Sequence, residues 1–245
     1  MNAAIYSKYG KIIFAVAMIA IGAVHIIAQN FPTGLEPAPL DIPARQLWVY
    51  VAGLGLMTSG LMLFSDKLGK HASALAGVIW LILLGFLDIP AVAANLHTPG
   101  PWTRTAETLG ILSGVLVIAN RYAAVLGIFN IIARVFMAIG LGILAVQHYL
   151  YLTFIETLVP TWLPGHAFWA WLVLIGFILA AVSILVGLKM RIATLALAAM
   201  LFTWVLILHL PRAISAGSIE AEWTSTFVAL AWGGAALLLA GVSKD

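Results

Sequence analysis

Six ionisable side chains stand inside or at the edge of long apolar runs in this 245-residue chain: His25, Asp88, Glu107, His148, His209 and Arg212. Such groups are costly in a hydrophobic setting and mark functional positions by default. A neutral imidazole can donate to or accept from a quinone oxygen, and a nearby carboxylate can carry the proton. Imidazole also ligates haem iron and other metal ions. Gln29, Gln147 and Tyr151 add polar groups at a similar position along their runs. Three readings stay open. The six groups reach an interface or satisfy helix ends broken at Pro90 and Pro211; or they line a polar cavity for a small ligand such as a quinone; or His25 and His148 face each other and hold a haem or a metal. No ligand-spaced motif of the HExxH kind is present, and no side chain is assigned a catalytic role.

The elements that position these groups follow from composition. Hydrophobic residues make up 63% of the chain and charged residues 9%, against about 25% charged in soluble domains. The apolar residues fall in blocks of about 20, the length that spans a bilayer as a helix. The blocks do not alternate, which excludes a β-barrel. The expected fold is all-α and polytopic, with spans near 12–30, 46–64, 72–94, 106–121, 134–154, 166–187, 192–210 and 223–242. The first run is longer than a secretory signal core and is expected to be retained. Cysteine is absent, so thiol and Cys-ligand chemistry are excluded.

Orientation follows from the bases. With the N-terminus inside, Lys8, Lys11, Lys67, Lys70, Arg121, Arg134, Lys189, Arg191 and Lys244 lie on the cytoplasmic side, and only Arg45, Arg104 and Arg212 lie outside. Both termini are therefore expected in the cytoplasm. The bases stand singly in loops, so the net charge of +3 reflects orientation and not nucleic-acid binding. All ten prolines, Pro37 among them, fall in the outer half, so the outer face is where function is expected.

The halves superimpose in sequence. At an offset of 123, Lys11, His25, Pro37, Trp48 and Gly53 fall on Arg134, His148, Pro160, Trp171 and Gly176. At 121, Pro90, Trp102 and Thr103 fall on Pro211, Trp223 and Thr224. This predicts a duplication, with repeats at 1–121 and 122–245. Four spans per repeat make the copies parallel. Glycines at 53, 55, 60, 140, 142, 233 and 234 are expected to let helices approach closely.

The run Leu208-His209-Leu210-Pro211-Arg212, then Glu222-Trp223-Thr224 and Trp232-Gly233-Gly234-Ala235, resembles the DoxX-like membrane protein superfamily. The first half carries a worn version in Leu87-Asp88-Ile89-Pro90, Trp102-Thr103 and Glu107 followed by Gly110. The resemblance implies four-helix bundles, here in tandem, in a bacterial inner membrane. It also implies association with membrane redox chemistry such as quinone-linked oxidation, with a membrane or periplasmic redox partner. Two other classes remain, a small-molecule permease and a structural or assembly subunit. The nearly uncharged inner halves of the spans disfavour ion-coupled permeation.

Overall fold

A computed structural model describes residues 3–36, 38–122 and 127–243. The expectations for Pro37, Lys244 and both chain termini lie outside the described residues. Among those residues the chain is helical, without strands. The helices are α1 (Ala3–Ala28), α2 (Arg45–Met62), α3 (Gly69–Leu83), α4 (Ile89–Ala94), α5 (Pro99–Asn120), α6 (Ile128–Leu150), α7 (Leu152–Leu158), α8 (His166–Val186), α9 (Met190–Trp204), α10 (Leu210–Ala216) and α11 (Glu220–Val242). Among the described residues six stretches are long and apolar enough to cross a membrane: α1, α3 through α4, α6, α8, α9 through α10, and α11. Large apolar side chains such as Ile27, Leu179 and Leu206 point outward, as they do where lipid is the solvent.

The centre is the pair α5 and α11, which pack on each other. Helix α11 also lies against α1 and α9, and α5 against α6 and α3. Helix α2 bridges α1 and α3, and α8 bridges α6 and α9. Exchanging α1, α2, α3 and α5 for α6, α8, α9 and α11 leaves this main neighbour pattern unchanged. Lipid tails supply no hydrophobic drive between helices, so close backbone approach matters. A Cβ on Gly10 would lie 2.9 Å from the Gly234 carbonyl, and one on Gly22 would run into that of Gly53. The expected close-packing glycines at 53, 60, 140, 233 and 234 do meet neighbouring helices. Gly142 does not: nothing stands within 4 Å of its missing Cβ, because it borders an open groove.

Two π-helical turns, Leu84–Asp88 and Val205–His209, separate α3 from α4 and α9 from α10. Each is closed by a bond spanning five residues, from Ile89 to Leu84 and from Leu210 to Val205. The cause is Pro90 and Pro211. Proline has no N–H and its ring crowds the carbonyl four residues back, and a widened turn relieves both. Asp88 and His209 are the last residues of these turns.

Several boundaries differ from expectation. Helix α1 is already formed at Ala3, ahead of the expected span, and its first turns pack through Ser7 and Gly10 on α11. Helix α5 starts at Pro99, since proline is tolerated in a first turn, where the N–H has no partner anyway. The expected span 134–154 breaks at Tyr151, and α7 follows. At the lysine-rich end, Arg134 donates to the carbonyls of Ile184 (2.8 Å) and Leu185 (3.0 Å), capping the last turn of α8. Lys11 bonds Asp66 at 2.5 Å and holds that exposed carboxyl below the usual carboxylate range.

Candidate functional site

The proline-rich end contains two different constructions. The first is closed. The chain after α1 turns back at Pro32, whose carbonyl accepts from the N–H groups of Leu35 (2.9 Å) and Glu36 (2.7 Å). Phe31 and Leu35 are buried by this turn, and Glu36 is carried down onto His25. His25 Nε2 and Glu36 Oε2 are 2.9 Å apart, with the side chains 0% and 2% exposed. Glu220, at the start of α11, accepts from the N–H and hydroxyl of Thr33 (3.1 and 2.6 Å) and fastens the loop.

His25 Nδ1 lies 2.9 Å from the Ile21 carbonyl. A carbonyl only accepts, so Nδ1 carries a proton. The contact with Glu36 then holds one further proton, either on the imidazole or on the carboxyl. Asp88 lies in the same region, 1% exposed, and accepts from the Thr108 hydroxyl at 2.7 Å. Glu36 and Arg104 act on its charge, and Asp88 and Arg104 act on Glu107. Glu36 Oε1, Asp88 Oδ1 and Arg104 Nε are buried without hydrogen-bond partners among the described residues.

The second construction is hollow. A cavity of about 180 Å³ is lined by His148, His209, Trp169, Trp204 and Phe177, with Val159 and other aliphatic residues completing it. His148 Nδ1 donates to the Leu144 carbonyl at 2.9 Å, the counterpart of the His25 bond at an offset of 123. Its Nε2 has no partner among the described residues, and neither ring nitrogen of His209 has one. The Phe177 ring meets His148 edge-on at 5.1 Å. Trp169 donates to the Pro164 carbonyl at 3.0 Å and meets Trp204 edge-on at 6.4 Å. The indole is thereby fixed as a wall.

Above this cavity, a wider recess of about 480 Å³ shares Leu158, Val159 and Leu208 with it. Arg212 borders the recess and bonds Glu222 at 2.6 Å. A third hollow, about 650 Å³, runs between α5 and α6 beside His97, Trp102, Gln147 and Tyr151. Gln147 is structural: it accepts from Thr103 (2.8 Å) and donates to the Pro99 carbonyl (2.8 Å).

The six residues singled out in the sequence are thus divided. His25, Asp88 and Glu107 join the closed cluster, His148 and His209 share the cavity, and Arg212 stands over it. His25 and His148 share no cavity or direct contact among the described residues. Full burial of His25 and Asp88 excludes their reaching an interface. Sequence reasoning missed Glu36, Thr108 and the aromatic wall. Phe31 and Leu35, four apart in a proline-bounded loop, were the available signal that the loop packs inward beside Glu36. Among the described residues no three His, Asp or Glu side chains converge as metal ligands. No family model, curated protein or solved structure significantly matches the chain.

Proposed function

We propose that this chain is a redox-associated integral membrane protein of the DoxX-like type, holding a quinone-type ring between His148 and His209 near the outer surface. In this reading α2 and α5 join the six apolar stretches to make eight spans, as two parallel four-helix repeats with cytoplasmic termini. Helix α5 is less apolar because its polar residues, Thr108 and Ser113 among them, face the protein interior. Three features support the duplication: the matched π-turns, the matched neighbour pattern, and matched hydrogen bonds. Trp102 Nε1 donates to the Leu96 carbonyl (3.0 Å), and Trp223 Nε1 to that of Gly217 (2.7 Å), both at an offset of 121.

The cavity carries the ligand assignment. Sites for drug-sized ligands measure about 300–1,000 Å³, so about 180 Å³ suits a small ring system of one or two fused rings and is too small for a porphyrin. Aromatic walls offer offset or edge-on stacking. With Nδ1–H engaged, neutral His148 presents a lone pair at Nε2 that accepts from a hydroquinone hydroxyl; protonated, it donates to a quinone oxygen. His209 presents a second imidazole for the other side of the ring. A quinone supplies two-electron redox chemistry when bound. The protein's part is to orient the ring, exclude water and hold a proton at His148 Nε2, while electrons pass to a separate redox partner.

Fluorescence titration of the purified protein with 1,4-naphthoquinone tests this, since Trp169 and Trp204 report on the cavity. Saturable quenching is expected. His148→Ala and His209→Ala should each weaken binding about tenfold or more, with unchanged elution in detergent. Absence of saturable quenching in the wild type overturns the assignment.

A further inference from the structure

The recess above the cavity adds a second, chemically distinct subsite. It adjoins the lower chamber, and Leu158, Val159 and Leu208 line both. Its lining is more polar, with the hydroxyl residues Thr157, Thr161 and Ser215 beside Arg212 and Glu222. Arg212 is the one cation among the lining residues. Its bond to Glu222 uses a single nitrogen, Nη2, at 2.6 Å, and its side chain is 40% exposed. A guanidinium has five N–H donors in a planar fork that fits a carboxylate or sulfonate with two parallel bonds. The remaining donors have no partner among the described residues. At the equivalent position of the first half stands Ala91.

We infer that the full ligand of this site is an aromatic ring bearing an anionic substituent, taken from the outer aqueous face, with the ring between His148 and His209 and the anion on Arg212. This rests on the ring site proposed above and extends it from a ring to a substrate class. Glu222 is then a place-holder: it neutralises Arg212 in the empty site and competes with the incoming anion. An anionic ligand of this kind does not partition into lipid, so the recess, and not the gap between helices, is its way in.

Two probes of equal ring size separate the two proposals: neutral 1,4-naphthoquinone and 1,4-naphthoquinone-2-sulfonate. The wild type should bind the sulfonate about tenfold tighter, the scale of one charge-assisted hydrogen bond. Arg212→Gln should remove that preference and leave the neutral probe unchanged. Glu222→Gln, which keeps Arg212 and frees its fork, should tighten the sulfonate alone. Should Arg212→Gln not fold, Glu222→Gln still decides the matter. Equal binding of both probes by the wild type, or an unchanged preference in a folded variant, overturns the anionic subsite while the ring site stands. Failure of the neutral probe in the wild type removes the ring site and the subsite with it.

Discussion

His25 and His148 occupy matching places at the ends of α1 and α6, donate to matching carbonyls and each meet a phenylalanine edge-on, but differ in what stands at Nε2. Glu36 covers His25, and an edge-on Phe31 at 6.0 Å completes its enclosure. At the position equivalent to Glu36, an offset of 123, the second half has Val159. Valine brings no acceptor and less bulk, and the space it leaves is part of the His148 cavity. Asp88, closed over by Thr108, is likewise matched by His209, which faces that cavity. Two exchanges of carboxylate for something else therefore turn a sealed polar cluster into a hollow one. The same backbone frame carries a sealed polar cluster on one side and an open cavity on the other.

The largest effect should come from opening the sealed side. Glu36→Val, the substitution that copies the second half, leaves His25 fully buried without its partner. Breaking a buried ion pair from one side costs about 3–5 kcal/mol. Thermal unfolding in detergent should show a large loss of stability, against a smaller one for His148→Ala, which gives up the Leu144 bond and the Phe177 contact but no partner of Nε2 among the described residues. Equal losses for the two variants would mean that the halves do not differ in this way.

The converse experiment closes the hollow side. Val159→Glu should place a carboxylate against His148, fill the cavity, and cut naphthoquinone binding about tenfold or more while the protein stays folded. The readout is quenching against elution profile. Retained binding would show that Val159 is not what keeps the cavity open.

The contrast between the halves was only partly visible in the sequence. Helical runs, the two proline breaks and the matched tryptophans stand out, because hydrophobic length and proline stereochemistry act locally. His25, Asp88, His148 and His209 stand out because ionisable groups are rare in such runs. Glu36 does not, since a loop glutamate eleven residues from its partner looks like an ordinary surface charge until the Pro32 turn is known. The cavity is less legible still: Val159, Phe177 and Trp204 are unremarkable apolar residues, and a void follows only from three-dimensional packing. Helix α7 and the early start of α5 were hidden because prolines and a tyrosine–leucine junction carry no fixed meaning without their neighbours.

The smallest effect concerns what the halves still share. Trp102 and Trp223 each donate an indole N–H to the carbonyl six residues earlier, and each follows a short helix that the π-turn sets up. Such bonds contribute about 0.5–1.5 kcal/mol net. Phenylalanine keeps most of the aromatic surface and removes only the donor, so Trp102→Phe and Trp223→Phe isolate that term. If the scaffold is duplicated and only the sites have diverged, the two losses in stability should agree within a few tenths of a kcal/mol, and the double variant should show their sum, because well-separated positions add. The Trp223 ring also stacks on Phe227 at 5.9 Å, a contact phenylalanine can retain. Unequal losses, measured by unfolding under one set of conditions, would place the divergence in the frame as well as in the two polar ends, and the contrast between a sealed half and a hollow half would no longer rest on a common scaffold.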